Sequence, residues 1–170
     1  IPTLQQYLTE GSKIEGCQLI LEIKPHRNEV RDKRIADMCV ELVRTLGLEK
    51  KTEYISFSKV VCQRLHEITP DSKVAYLNGE LAPAQIKEMG LTGIDYYEKV
   101  FVKHPEWLQE AKQLGVEVNV WTVDGEENLR HHVNLEGVDL ITTNDPEILK
   151  GILAEQEAAK QPASKKSKRK

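Results

Sequence analysis

The sequence predicts an α/β fold built on a parallel sheet. A strand pattern followed by a helix pattern recurs six times, in units of about 20 to 40 residues. Glycine and proline residues separate these units, as expected where helices and strands end. No Gly-x-Gly-x-x-Gly or phosphate-loop motif follows a strand, which argues against a nucleotide-binding sheet. We therefore expect a barrel-like or doubly wound arrangement.

The predicted strands are short runs rich in aliphatic and β-branched residues, each bounded by turn residues. They cover 18–23, 52–57, 73–77, 93–97, 116–123 and 138–142. The first is mostly aliphatic and is stopped by Pro25, so we expect it to be a buried strand. The fifth alternates over its whole length, which is typical of a strand with two different faces.

The predicted helices carry apolar residues at helical spacing between a cap and a stop. They cover 3–11, 30–46, 58–68, 83–89, 105–114, 126–135 and 146–160. Thr3 and Ser58 can cap two of the N-termini, and Gly47, Gly90 and Gly115 can end three of the helices. Residues 1–160 are therefore expected to form the folded domain. The basic tail 161–170 is expected to be disordered, with a localisation signal or contact with an anionic surface as the alternative.

The composition limits the classes of function. With 39% hydrophobic and 30% charged residues, the 170-residue chain can bury a sizeable core. A net charge of −3 gives no basic field for nucleic acid, and no apolar run is long enough to span a membrane. The three cysteines have neither zinc-site nor disulfide-framework spacing. Buried free thiols are expected at Cys39 and Cys62, and one disulfide pair is the alternative.

Polar residues gather at the predicted carboxyl ends of the strands, where α/β folds bind ligands. In chain order they are Glu22, Lys24, His26, Ser56, Ser58, Asn78, Glu80, Asp95, Tyr97, Trp121, Asp124, Thr143, Asn144 and Asp145. Carboxylates suit a hard cation such as Mg²⁺ or Ca²⁺, and a lysine suits a phosphate group. A simple ion pair between Glu22 and Lys24 is the alternative. Trp121 could line a pocket or pack inside a barrel.

The histidines give no clear general acid or base. His26 follows the first strand and could reach the site, although a surface loop position is the alternative. His66 and His104 lie within or before helices. His131 and His132 lie on the flank of a helix, where we expect both to be solvated.

Several stretches together resemble the glycerophosphodiester phosphodiesterase family. The segment 21–25, Leu-Glu-Ile-Lys-Pro, resembles the family's Glu-Ile-Lys motif. Further similar stretches follow in the family's order, from Ile1 to about Leu153: 1–4, 56–57, 118–124 and 137–146. The resemblance implies a (β/α)₈ TIM barrel that hydrolyses glycerophosphodiesters, small molecules of lipid and glycerol metabolism, to glycerol 3-phosphate and an alcohol.

The resemblance also implies roles for individual residues. The family uses a divalent metal, Mg²⁺ or Ca²⁺, held by carboxylates, and two histidines for acid–base chemistry. Glu22 is similar to a metal carboxylate, Lys24 to the lysine that contacts phosphate, and Trp121 to a substrate-lining tryptophan. Ser56 and Phe57 match a Ser-Phe pair whose expected role is structural or pocket-lining.

The departures from the family concern its N-terminal motifs. The His-Arg-Gly, Glu-Asn, Glu-x-Asp and His-Asp motifs do not occur, and His26-Arg27 is followed by Asn28 and comes after the Glu-Ile-Lys strand. We therefore expect an incomplete barrel of six units that begins at about the third strand and lacks catalytic histidines. Either a missing N-terminal segment or a partner chain would complete it.

A rival interpretation is a non-catalytic, phospho-ligand-binding or oligomeric half-barrel. The family includes periplasmic and cytosolic members, so the resemblance slightly favours a periplasmic or secreted location and leaves the cytoplasm open.

Overall fold

The computed structural model describes residues 1–26 and 28–160. The strands in this range are β1 Leu19–Glu22, β2 Thr52–Ser56, β3 Val74–Tyr76, β4 Gly93–Tyr97, β5 Glu117–Trp121 and β6 Leu140–Ile141. The helices are α1 Leu4–Ser12, α2 Glu29–Thr45, α3 Lys59–Ile68, α4 Pro83–Glu88, α5 Glu98–Lys103, α6 Glu106–Leu114, α7 Glu126–Val133 and α8 Pro146–Lys160. The expected basic tail lies outside the described residues.

The order of the strands confirms the barrel-like alternative. All neighbouring strands are parallel, and they follow one another in the sheet as they do in the chain, from β1 to β6. A doubly wound sheet would reverse its strand order at a switch point, whereas a barrel wall does not. The six strands curl into a half-barrel with helices outside, which is an incomplete TIM barrel.

The core lies between the sheet and the helices. Alternate residues of the strands point to the helices, and the tyrosines Tyr54, Tyr76 and Tyr96 are almost completely buried there. The ring of Tyr96 lies against Phe101 and Trp107, which belong to α5 and α6. The remaining strand residues therefore face the inside of the half-barrel.

The inner face has an open upper end and an ion-paired lower end. Lys73, just before β3, lies 2.7 Å from a carboxylate oxygen of Glu117 and 3.5 Å from one of Glu53. Both glutamates occupy the amino-terminal halves of their strands, so this network sits at the bottom of the barrel. The carboxyl ends of the strands, at the other end, are left for the candidate site.

One expectation about the elements was wrong, and one helix was missed. β1 is not a fully buried strand: it is the first strand of the open sheet, and Ile20 is 52% exposed on its inner face. Helix α5 was not predicted, because it follows β4 directly and its N-cap residue, Tyr97, makes no side-chain capping bond. Within residues 1–26 and 28–160, no helix is long and apolar enough to cross a membrane.

The three cysteines are free thiols rather than a disulfide pair. Cys62 is buried, Cys39 is partly buried and Cys17 is exposed. Burial raises the pKa of both the Cys39 and the Cys62 thiols, the latter to about 12, so the protonated and less reactive form is favoured.

Candidate active site

The end of β1 brings Glu22 and Lys24 together on one face of the strand. The Lys24 Nζ atom lies 2.7 Å from Oε1 of Glu22, so the two side chains form an ion pair, as the alternative interpretation anticipated. The Lys24 side chain is 74% exposed and that of Glu22 is 30% exposed. An ion pair this exposed contributes less than about 1 kcal/mol to folding, which leaves both groups available to a ligand.

A cavity of about 470 Å³ lies on the inner face of the sheet, next to Glu22. Asp95 from β4 and Asn119 from β5 line this cavity, opposite each other in the register of the two strands. The Oδ1 atom of each is buried without a hydrogen-bond partner in the part of the chain that the structure describes. Polar atoms without a partner are costly to bury. These two oxygens therefore favour binding of a hydrogen-bond donor or a cation in the cavity.

Asp95 is the most perturbed carboxyl group of this region. It is only 3% exposed, and burial raises its pKa to about 6. The neighbouring Asn119 side chain partly opposes this effect by hydrogen bonding, while the negative charge of Glu22 adds to it. The carboxyl of Asp95 therefore carries a substantial protonated fraction in mildly acidic solution.

An aromatic wall stands at the open end of the half-barrel, formed by Phe57, Tyr97 and Trp121. The indole Nε1 of Trp121 donates a hydrogen bond to the backbone carbonyl of Asp95 at 2.8 Å. The Trp121 ring lies edge-on to Phe57 at 5.9 Å and tilted against Tyr97 at 5.5 Å between centroids. Lys99 Nζ lies 5.6 Å from the centre of the Tyr97 ring, so a second lysine borders the wall.

The loops after β5 and β6 are held by their own acidic residues. Asp124 accepts hydrogen bonds from the backbone N–H of Asn144 at 2.8 Å and from its side-chain Nδ2 at 2.9 Å. These bonds lower the pKa of Asp124. The Oδ2 atom of Asp145 accepts the backbone N–H of Gly125 at 2.8 Å. Both carboxylates therefore hold the loops after β5 and β6 in place at the open end of the half-barrel.

The serines at the second strand end do not face the cavity. Ser56 is fully buried, and its hydroxyl donates to the backbone carbonyl of Ile23 at 2.6 Å. The hydroxyl of Ser58 accepts the N–H of Val61 and so caps α3. These contacts give both serines structural roles. Phe57, between them, belongs to the aromatic wall.

His26 and His132 each contact a residue outside the aromatic wall. The His26 ring Nδ1 lies 3.3 Å from Oδ1 of Asp32. The expectation that His132 is solvated was wrong: it is 7% exposed, and its Nδ1 bonds the carbonyl of Asn128. Helix α8 packs against α7, and the spacing of residues within α7 alone could not reveal that His132 is buried.

Three residues of this region were missed from the sequence. Asn119 could have been found by the two-residue period, since it lies two positions before Trp121 on the same face of β5. Lys99 belongs to the unpredicted helix α5, and Asp32 lies in the first turn of α2, so neither carried a strand-end signal.

The donor set is incomplete for a divalent cation. Glu22 is a suitable oxygen ligand, but no group of three or more His, Cys, Asp or Glu side chains arranged to hold a metal occurs among residues 1–26 and 28–160. The side chains described here therefore do not by themselves form a metal centre.

The comparisons with known proteins agree with the barrel architecture. A family model described as the glycerophosphoryl diester phosphodiesterase family matches residues 1–148. The chain is similar to the crystal structure of a glycerophosphodiester phosphodiesterase from Parabacteroides distasonis, with 42% identity and a TM-score of 0.89. That match covers 92% of this chain and 65% of the other chain. No curated protein gives a significant match.

More distant structures share the fold. A glycerophosphodiester phosphodiesterase from Agrobacterium tumefaciens is 22% identical with a TM-score of 0.68, over 89% of this chain and 62% of its own. An Oleispira antarctica phosphodiesterase, solved with the product sn-glycerol-3-phosphate, is 18% identical with a TM-score of 0.73, over 91% and 62%. The chain thus spans less than two thirds of the length of these structures. Since the family model covers most of the sequence, the chain belongs to the glycerophosphoryl diester phosphodiesterase family.

Proposed function

We propose that this chain supplies the phosphate-binding part of an active site that hydrolyses glycerophosphodiesters to sn-glycerol 3-phosphate and an alcohol. The observation that carries the proposal is the placement of Glu22 and Lys24 at a strand end, with Trp121 at the same open end of the half-barrel. Membership of the phosphodiesterase family supports this chemistry.

Lys24 is the group that we assign to the phosphate. Its ammonium is mostly exposed, and its pairing with Glu22 is weak enough to be exchanged for a phosphoryl oxygen at little cost. A fixed positive charge beside the phosphoryl group stabilises the negative charge that develops there during attack.

Trp121 is assigned to the wall of the pocket. Its indole is anchored by the hydrogen bond to Asp95 and by ring contacts with Phe57 and Tyr97. An anchored aromatic face can cover the carbon skeleton of the substrate while the polar groups bind its oxygens.

Glu22 is assigned one position in a divalent-cation site, either Mg²⁺ or Ca²⁺, as is general for this family. The described side chains do not complete that site. We infer that its other ligands and the acid–base histidines come from polypeptide outside these 170 residues, either a further segment or a partner chain that closes the barrel. The 170-residue chain alone is then expected to bind phosphate but not to turn over substrate.

The test is the release of sn-glycerol 3-phosphate from glycerophosphocholine. It is measured for the 170-residue chain and for the longest polypeptide that its gene encodes, with Mg²⁺, with Ca²⁺ and with EDTA. We expect metal-supported turnover only in the longer polypeptide, and a loss of at least about a hundredfold in its Glu22→Gln variant. Absence of turnover by that polypeptide under every condition would contradict the proposal.

A second candidate is a non-catalytic half-barrel that binds phospho-ligands, alone or as an oligomer. It is favoured by the incomplete donor set of the described residues and by the engagement of His26 with Asp32. Intact mass and size-exclusion chromatography separate the two candidates. A discrete oligomer of the native 170-residue chain that binds sn-glycerol 3-phosphate without turnover would favour the second.

A further inference from the structure

We propose that Asp32, for which the proposed chemistry has no role, is a positioning residue that fixes the segment carrying Lys24. This inference rests on the proposed function, because it concerns how the phosphate-binding lysine is held. Asp32 lies in the first turn of α2, and its side chain is 5% exposed. A carboxylate buried this deeply is tolerated only when its oxygens accept hydrogen bonds.

Asp32 binds the residues that follow Lys24. Its Oδ1 accepts the backbone N–H of His26 at 2.7 Å and lies 3.3 Å from the Nδ1 atom of the same histidine. Its Oδ2 lies 3.4 Å from the hydroxyl of Ser58, which can donate to it. The carboxylate thus joins the β1–α2 loop to the start of α3. Hydrogen bonds to a charged acceptor are among the stronger ones in proteins.

The chain just before Lys24 is held separately. The backbone N–H of Ile23 donates to the carbonyl of Ile55 at 3.0 Å, and the carbonyl of Ile23 accepts the hydroxyl of Ser56 at 2.6 Å. Lys24 and Pro25 are therefore the two residues between an anchor at Ile23 and an anchor at His26. The first anchor belongs to the sheet, and the second depends on Asp32.

The two anchors meet in one network at the end of β2. The Ser56 hydroxyl, which holds Ile23, also accepts the backbone N–H of Ser58 at 3.1 Å. The Ser58 hydroxyl in turn contacts Asp32. The network fixes both sides of Lys24 relative to the same strand end, so Lys24 begins from a defined backbone position even though its side chain is exposed.

Loss of the Asp32 carboxylate removes the second anchor without touching the ammonium of Lys24. The segment that carries Lys24 is then free to shift at its His26 end. A displacement of about 1 Å at a binding group is enough to weaken a well-aligned contact severely. We expect affinity for a phosphate ligand to fall about tenfold, as is usual when a supporting residue of a binding group is removed.

The experiment measures the affinity of the purified protein for sn-glycerol 3-phosphate by isothermal titration calorimetry. The variants are Asp32→Ala, which removes both acceptor oxygens, Lys24→Ala and the double variant. Asp37→Ala is the matched control, since Asp37 lies on the same helix and its partner is the surface residue Arg64. We expect about tenfold weaker binding for Asp32→Ala, no change for Asp37→Ala, and no additional loss when Asp32→Ala is added to Lys24→Ala.

The outcomes separate this inference from the proposed function. If Lys24→Ala binds as tightly as the parent protein, the assignment of Lys24 to phosphate fails, and the inference fails with it. If only Lys24→Ala weakens binding, Asp32 is not a positioning residue. Equal losses from Asp32→Ala in both backgrounds also overturn the inference, because they indicate a general effect on the fold. Should Asp32→Ala not fold, Ser58→Ala removes the donor to Oδ2 and is expected to show the same dependence on Lys24.

Discussion

The indole N–H of Trp121 donates a hydrogen bond to the backbone carbonyl of Asp95. This one side chain therefore links the carboxyl end of β5 to the neighbouring strand β4. The bond is 2.8 Å long and fixes the plane of the indole at the open end of the half-barrel. The Asp95 side chain, on the same residue, lines the inner cavity. The position of Trp121 in the aromatic wall and the backbone that carries the buried Asp95 carboxyl group are therefore fixed by the same hydrogen bond.

The first prediction concerns Trp121→Phe, which keeps an aromatic ring but removes the N–H donor. We expect the free energy of unfolding to fall by about 1 kcal/mol, the usual net contribution of one hydrogen bond, and the affinity for sn-glycerol 3-phosphate to fall severalfold. Chemical denaturation and calorimetry measure the two effects. Trp107→Phe is the control, since Trp107 packs against His104 and Tyr96 on the helical side and should leave affinity unchanged.

The second prediction concerns Lys24→Ala. A hydrogen bond from a charged donor contributes about 1.5 to 3 kcal/mol, so affinity for sn-glycerol 3-phosphate should fall between about tenfold and a hundredfold. Stability should hardly change, because the pair with Glu22 is exposed. Lys13→Ala is the control, since Lys13 forms an exposed ion pair with Glu10 at the same N–O distance of 2.7 Å. Equal affinities of the two variants would remove Lys24 from the site.

The third prediction concerns the pH dependence of stability at Asp95. Its pKa is about 6 in the folded protein and near 3.8 when exposed, so the folded state binds this proton more tightly. As pH rises from about 4 to about 6, the unfolded chain ionises first and this residue lowers stability. The loss reaches about 2 to 3 kcal/mol and is constant at higher pH.

Asp95→Asn removes this titration and tests the prediction. The variant should gain about 2 to 3 kcal/mol relative to the parent protein between pH 4 and pH 7, measured by chemical denaturation at each pH. A difference between Asp95→Asn and parent that does not vary with pH would contradict the burial of an ionisable group here.

The fourth prediction concerns Ser56→Ala in the structural network beneath the site. The hydroxyl is fully buried and donates to Ile23, so its removal leaves a carbonyl without this partner. We expect a loss of about 1 to 3 kcal/mol in the free energy of unfolding. Ser12→Ala is the comparison, since its hydroxyl bonds a helical carbonyl at an exposed position and should cost much less. Equal losses of unfolding free energy in the two variants would show that the buried Ser56 bond contributes no more to stability than the exposed Ser12 bond.

Much of the architecture could be predicted from local patterns. The six repeated units indicated a parallel α/β sheet, barrel-like or doubly wound, because the strand and helix periods can be recognised within neighbouring residues; the strand order of the structure then showed the barrel wall. The placement of Glu22 and Lys24 on one face also followed from the two-residue period of a strand, and their ion pair was the open alternative that the structure shows. Both inferences needed only residues close in sequence.

Long-range contacts could not be read in the same way. The hydrogen bond that the Ser58 hydroxyl donates to Asp32 joins the N-cap of α3 to α2, and the burial of His132 is a tertiary feature that the pattern of α7 does not show. The exposure of Ile20 depends on β1 lying at the open side of the sheet. Each requires knowledge of which elements pack together, and the sequence pattern of one element does not contain that information.

The most direct test of the central claim is a nuclear magnetic resonance titration of the protein with sn-glycerol 3-phosphate. The account predicts saturable shifts of backbone amide signals centred on Glu22 and Lys24, together with the indole signal of Trp121, and little change at Trp107. Saturable binding whose shifts map elsewhere, or no saturable binding at all, would contradict the assignment of these strand ends as the phosphate-binding site.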